Sequence, residues 1–351
     1  MKRKKLKIAV VFNEPHPEYY VKTNVINKKK AKSKQYFEVS NLTPLEEFDL
    51  LAGILDKNGF NAYTLNIEDD ILILLKNIKK NKPDVVFNFI EIYKENARYE
   101  MNVVSLLELL GVPYTGAPPM SLANCQNKVL TKRLLNAVGI DTPKFLLVKK
   151  PSKKYRHGLK FPLMVKPAYE DASVGIENES IVRNDKELKE RVDYVMQYFL
   201  QPALVEEFIE GRELNVSILG DDNPETLPIS EIDFSEMPEH LHNIVSYQAK
   251  WDPHHEAFHK TIPICPAKVP RSVEKKAKEI ALRSFKAMGC RDYARVDMRL
   301  TKSNKLYVLE VNPNPDLTDG AGFMRSAEAA GYFYLQTMRK IIGLAYERGK
   351  K

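Results

Sequence analysis

Cysteine is scarce: three residues in 351, Cys125, Cys265 and Cys290, lie too far apart in sequence for a disulfide framework or a Cys-x-x-Cys metal site. No uncharged apolar run approaches the ~18 residues that a membrane span needs. The basic start, Lys2 to Lys7, is followed by an apolar stretch of only Ile8 to Phe12, below the ~7–15 residues of a secretory h-region. No Gly-x-Gly-x-x-Gly follows that first apolar run, and the Walker A spacing is missing throughout. Nor does a Gly-x-Ser-x-Gly elbow present a serine nucleophile. These gaps exclude a disulfide-stapled scaffold, a membrane-spanning chain and a P-loop enzyme, and they weaken a nicotinamide enzyme. The expectation is a reduced, cytoplasmic protein that touches no membrane.

What is present fits a globular chain. Hydrophobic residues make up 44% and charged residues 28%, and the length suits two or three structural units. The net charge of +8 is local: residues 1–40 carry 11 basic and 3 acidic side chains, and the rest carry 43 of each. The lysine-rich 22–34 stretch could meet an anionic partner, yet it lacks aromatic interleaving or a nucleic-acid motif. It reads as a solvated loop, which argues against a nucleic-acid partner.

Apolar runs and helical spacing alternate along 1–123, giving strands at 6–12, 61–65 and 83–88 with helices at 43–58, 70–79 and 102–110. That order implies an α/β unit around a parallel sheet, with ligands at the carboxyl ends of its strands. Between its first strand and helix, 16–41 is too long for an ordinary connection and reads as a basic insertion or lid. A second unit, 124–212, opens with a helix over 124–136 and holds strands at 161–166 and 203–209. A third, 213–351, has strands at 213–219 and 227–232 and an irregular histidine-containing stretch at 243–266. A strand pair at 293–300 and 305–311 and a long helix over 322–346 complete it.

The last strand pair carries the most chemistry. Alternation puts Arg295 and Asp297 on one face and Glu310 and Asn312 on one face of the partner. Two carboxylates and an amide oxygen converging there suit Mg²⁺, with Mn²⁺ fitting the same donors. Glu310 interrupts an otherwise apolar strand, where an unpaired charge is costly; a cross-strand ion pair is the competing account. Lys166 ends a buried strand, and Ala172, Ser173 and Gly175 beyond it let backbone amides approach a phosphate. The stretch 205–213, apolar with spaced acids, reads as a hinge strand or an ordinary edge strand. His254, His255 and His259 match no zinc spacing and read as a loop.

Taken in order, Leu107–Gly116, Asn127–Lys132, Met164–Pro167, Val205–Glu213, Tyr293–Asp297 and Leu309–Pro313 resemble the ATP-grasp superfamily, in its D-alanine–D-alanine ligase-like branch. The resemblance spans roughly 80–345. It implies three α/β units with ATP between the central and C-terminal ones. It also implies an acyl-phosphate ligase joining small-molecule carboxylate and amine substrates, with a homodimer compatible. On its terms Lys128 and Lys166 contact the phosphates, and Glu206, Glu207, Phe208 and Ile209 line the adenine. Glu213 reaches the ribose, Lys250 covers the γ-phosphate, and Asp297, Glu310 and Asn312 hold the metal. Arg295, Lys250 and Ser173 would serve catalysis, with Glu14, Arg98, Trp251, Asn314 and Asp316 around the substrates.

The departures fall on substrate positions. The first strand leads to Asn13-Glu14-Pro15-His16 instead of a glycine-serine turn. Ala172 stands where an orienting serine belongs, and Trp251 where a tyrosine belongs. Two readings follow: a ligase whose substrates are not two D-alanines, and a nucleotide-binding module that acts through a protein partner without ligase turnover.

Overall fold

The computed structural model describes residues 5–16 and 43–351, so the expected 16–41 insertion, apart from His16, and the 22–34 lysines lie outside the described residues. The first unit runs β1 (Lys7–Phe12), α1 (Pro44–Lys57), β2 (Asn61–Asn66), α2 (Ile71–Asn81), β3 (Val85–Asn88), α3 (Glu100–Leu109) and α4 (Pro119–Gln126). Its sheet is parallel in the order β2-β1-β3, as alternation of strand and helix demands. Thr43 opens α1 with a capping box, its hydroxyl taking the Glu46 N–H while the Glu46 carboxylate takes the Thr43 N–H.

The central unit comprises α5 (Lys128–Ala137), β4 (Phe145–Val148), β5 (Leu163–Pro167), β6 (Ile181–Val182), α6 (Asp185–Tyr198) and β7 (Ala203–Glu207). Its sheet is antiparallel, β4-β7-β5-β6, with α6 packed on one face. The third unit contains β8 (Arg212–Leu219), β9 (Glu225–Thr226), β10 (Ser230–Asp233), α7 (Tyr247–Trp251), α8 (Glu256–Lys260), β11 (Ile262–Ile264) and α9 (Arg271–Met288). It finishes with β12 (Tyr293–Leu300), β13 (Leu306–Asn312), α10 (Gly322–Ala329) and α11 (Tyr334–Arg348). Its antiparallel sheet runs β11-β10-β8-β12-β13, with β9 on β8 and α9 burying Ala277, Ala281 and Phe285 against it.

Four expected boundaries are corrected. The helix over 124–136 is two helices, because Asn127 is extended (φ −92°, ψ 92°) and its side chain accepts the Leu130 N–H to start α5. The terminal helix breaks at Gly331, whose φ of 87° cannot continue an α-helix. Instead of one strand over 227–232, the chain pairs first as β9 and then as β10. The stretch 243–266 is ordered into α7, α8 and β11 rather than irregular.

The chain closes on itself. Met338, Ile341 and Ile342 of α11 share a core with Ile8, Val10, Val85 and Phe87 of the first sheet, so the last helix roofs the first unit. Arg348 clasps Asp292, Asp221 and the Tyr114 carbonyl, while Asp292 also accepts the Gly116 N–H. This part-buried strut joins the first and third units. Between β7 and β8 the chain turns at Gly211 (φ 149°), where a β-carbon would lie 2.1 Å from the Leu300 carbonyl oxygen. Only glycine fits this hinge.

Candidate functional site

The site is assembled from β12 and β13, which pair Arg295 with Asn312 and Asp297 with Glu310 across the ladder. Cross-strand neighbours on one face lie side by side, so the alternation seen in sequence becomes a cluster. Arg295 donates from Nε and NH2 to the two Asp297 oxygens at 2.8 and 2.9 Å. Asn215 on neighbouring β8 and Asn312 donate to the same carboxylate at 2.7 and 2.9 Å. Asn312 also reaches Glu310 Oε1 at 3.4 Å. Burial pushes the Asp297 carboxyl up, against the pull of Arg295.

Glu310 faces outward from this cluster toward the lysines. Its carboxylate lies 3.9 Å from the Lys128 ammonium and keeps 38% of its side chain open to the cavity. Burial alone would raise its pKa, but Lys128, Lys166 and Arg295 together hold it down at about 2. Lys128, Lys166, Asp171, Ala172, Ser173 and Glu310 line one cavity. Of the metal- and phosphate-position side chains expected from the sequence, Lys128, Lys166 and Glu310 thus share a cavity, and Asn312 links Glu310 to Asp297 beside it. No group of three or more His, Cys, Asp or Glu side chains arranged for a metal occurs among the described residues. The donors available for a hard cation are two carboxylates and an amide, and that set fits Mg²⁺.

Behind the cavity lies a second network that sequence reasoning reached only in part. Glu206 accepts Lys166 at 2.6 Å and Lys132 at 2.9 Å, all three side chains being buried. Burial would push the Glu206 carboxyl up; the two ammoniums win and hold it at about 2. Lys132 follows Lys128 by one helical turn of α5, so both project from the same face. Lys128 itself meets Asp171 at 2.9 Å. Glu213 pairs with Arg299 at 2.9 Å, and Arg299 also donates to the Gly211 and Asn243 carbonyls at 2.9 and 2.6 Å. Arg299 continues the 295, 297 alternation, a signal the sequence held; Asn215 becomes visible only once β8 is known to flank β12. At the hinge, the Glu207 and Phe208 N–H groups donate to the Lys144 and Pro162 carbonyls. Among the described residues, the Ile209 N–H meets no backbone carbonyl and stays available to a ligand.

Lys250 and Trp251 sit at the end of α7, the ammonium 5.0 Å from the ring centroid. Burial lowers the Lys250 pKa, and Arg295 lowers it further against the attraction of Glu310, Asp316 and Glu91. Ser173 Oγ donates to the Val245 carbonyl at 2.8 Å. The remaining substrate positions are spread more widely. Glu14 stands beside Asn66, which accepts its N–H at 2.8 Å, and Arg98 lies 5.7 Å over the Tyr169 ring. Asn314 braces the fold: it accepts the Ala117 N–H and donates to Glu100, both at 2.9 Å. Glu91, open to the cleft yet ringed by protein, has its carboxyl pushed up by burial and by the Asp316 carboxylate. Burial pushes Glu100 up to about 8. Both acids flank the expected Arg98 in sequence and were not singled out.

Comparison with known proteins identifies the family to which this fold belongs. The family described as "D-ala D-ala ligase C-terminus" matches residues 134–343. A D-alanine–D-alanine ligase of Carboxydothermus hydrogenoformans is 31% identical over 312 residues, covering 86% of this chain and 93% of its own. An uncharacterized protein, y4sG, of Sinorhizobium fredii is 34% identical over 264 residues, 75% of each chain. In fold, the D-alanine–D-alanine ligase of Bacillus anthracis, solved with ATP, superposes with a TM-score of 0.70 at 24% identity, covering 99% of both chains. The chain belongs to the D-alanine–D-alanine ligase-like branch of the ATP-grasp superfamily, the ATP-dependent, ADP-forming carboxylate–amine ligases.

Proposed function

We propose that the protein joins the carboxylate of an amino acid or peptide to an amine, with at least one substrate other than D-alanine. The observation that carries this reading is the contrast within one cleft. The residues facing phosphate and metal keep every charge the chemistry needs, whereas Ala172 offers no hydroxyl and Trp251 has replaced a phenol.

The assigned roles follow the charges. Lys128 and Lys166 take phosphate oxygens, exchanging the carboxylates they now hold for the nucleotide. Ile209 offers its N–H to the purine edge, and Glu213, steadied by Arg299, takes the ribose hydroxyls. Asp297, Glu310 and Asn312 hold Mg²⁺, which when bound neutralises phosphoryl charge. The substrate carboxylate attacks the γ-phosphorus, ADP leaves, and the amine then displaces phosphate from the acyl carbon. Arg295, anchored along its Nε–NH2 edge by Asp297, lies against the reacting carboxyl and stabilises the oxyanion, an effect on the order of 10²–10³ in rate for one donor. Lys250 covers the γ-phosphate, and the closed cleft excludes water. Dependence on ATP places the activity in the cytoplasm.

ADP release measured across a matrix of acids and amines tests this. One or more pairs other than D-alanine with itself should give turnover, and Glu310→Ala should abolish it. Turnover confined to two D-alanines would overturn the substrate reading, and full activity in Glu310→Ala would overturn the metal assignment.

A further inference from the structure

Two segments that could open the cleft are fastened to each other. The phosphate-facing loop 170–178 belongs to the central unit, and the 239–251 segment, which carries Lys250, belongs to the third. Trp251 Nε1 donates to the Ala172 carbonyl at 3.0 Å. Ser173 Oγ donates back to the Val245 carbonyl at 2.8 Å, and the Tyr247 N–H to the Ile176 carbonyl at 2.7 Å. Asn178 closes the far end, donating to the His240 carbonyl at 3.2 Å and accepting the His242 N–H at 2.8 Å. Five hydrogen bonds thus span the two segments, and one is an indole N–H.

The Ala172 end of this seam is conformationally demanding. Ala172 and Ser173 have φ of 52° and 63°, the left-handed region that costs a side-chain-bearing residue on the order of 1–3 kcal/mol. Such a turn persists only where its surroundings hold it, and the Trp251 and Ser173 bonds grip both residues of the pair. At the other edge of the indole, the ring faces the Lys250 ammonium at 5.0 Å, a cation–π arrangement. A single side chain therefore touches both the phosphate-facing loop and the lysine assigned to the γ-phosphate.

We infer that Trp251 is a positioning residue that latches the lid over bound nucleotide, its N–H fixing the Ala172–Ser173 turn and its ring seating Lys250. This gives the side chain a part in closure, and it rests on the nucleotide reading given above. The latch does not require a hydroxyl at position 172, because it uses a backbone carbonyl that any residue there would present. The departures at 172 and 251 thus meet in one hydrogen bond, with Trp251 as donor and the Ala172 main chain as acceptor.

Trp251 is the sole tryptophan of the chain, so intrinsic emission reports on the latch directly. Adding Mg²⁺ and ADP to the full-length protein should change that emission as the bond from the indole to the Ala172 carbonyl is made in a larger share of molecules. Trp251→Phe keeps a ring and loses the donor; its release of N-methylanthraniloyl-ADP should be roughly five- to tenfold faster than that of the unmodified protein. Its thermal midpoint without nucleotide should stay close to the parent's, since the side chain is half exposed. Calorimetry with ADP separates the two levels of the argument. Binding by calorimetry with either the emission or the release rate unmoved overturns the latch alone. No binding at all overturns the nucleotide reading and the latch together.

Discussion

The two ends of the cleft are built differently. At the nucleotide end, charges are buried and cross-braced: Lys132, Glu206 and Lys166 form one chain of ion pairs, and Arg295, Asp297, Asn215 and Asn312 form another. Every member grows from a strand or helix. At the end assigned to the substrates, Glu14, Glu91 and Asp316 come from loops and Arg98 from a single 3-10 turn, with Glu91, Arg98 and Asp316 exposed. Rigid elements hold groups to a narrow geometry, whereas loops tolerate replacement. The comparison teaches that this fold braces the groups proposed for nucleotide and metal and leaves those proposed for the substrates on replaceable parts.

The contrast can be broken most forcefully at Glu206. Glu206→Gln leaves two buried ammoniums facing a neutral amide, and urea unfolding should show a loss of about 3–5 kcal/mol. A loss below 1 kcal/mol would mean that the network is solvated and the nucleotide end is no more braced than the other.

Glu100, beneath the substrate end, sharpens the contrast through pH. Its carboxyl is pushed up to about 8 in the fold, from an unfolded value of 4.5. Between those values the unfolded chain has released the proton and the folded chain keeps it, so this group makes stability fall as pH rises. The slope is at most about 1.4 kcal/mol per pH unit for one proton, and the penalty is complete above pH 8. Glu100→Gln should flatten the decline between pH 5 and 8 relative to the parent. Identical slopes in both proteins would contradict a protonated Glu100.

The smallest effect belongs to the rim. Arg98→Ala removes an exposed guanidinium lying 5.7 Å over Tyr169 and should change stability by no more than about 0.5–1 kcal/mol in chemical denaturation. A larger loss would show the substrate end to be braced after all.

The same division governs what could be read from the sequence. Period-two alternation announced Arg295, Asp297, Glu310 and Asn312, because a charge in an apolar strand is conspicuous and its direction is fixed by the pleat. The parallel first sheet followed from its alternating elements. Helix breaks at Asn127 and Gly331 escaped, since an asparagine can cap as easily as continue and the apolar spacing carries across both breaks. Asn215 was hidden for a different reason: its role depends on which strand lies next to β12, a long-range fact that no local pattern encodes. Glu91 and Glu100 were invisible as a pair because the groups they meet, Asp316 and Asn314, come from a turn far along the chain.

The roof that α11 places over the first sheet has a consequence for biosynthesis. Arg348 is separated by 234 positions from the Tyr114 carbonyl it clasps, and Ile341 packs beside strands translated well before it. Until that final helix emerges from the ribosome, one face of the opening sheet stays bare, and the first and third units have no strut. Assembly is thereby postponed until α11 has been translated, and until then the nascent chain carries apolar surface that a chaperone could hold.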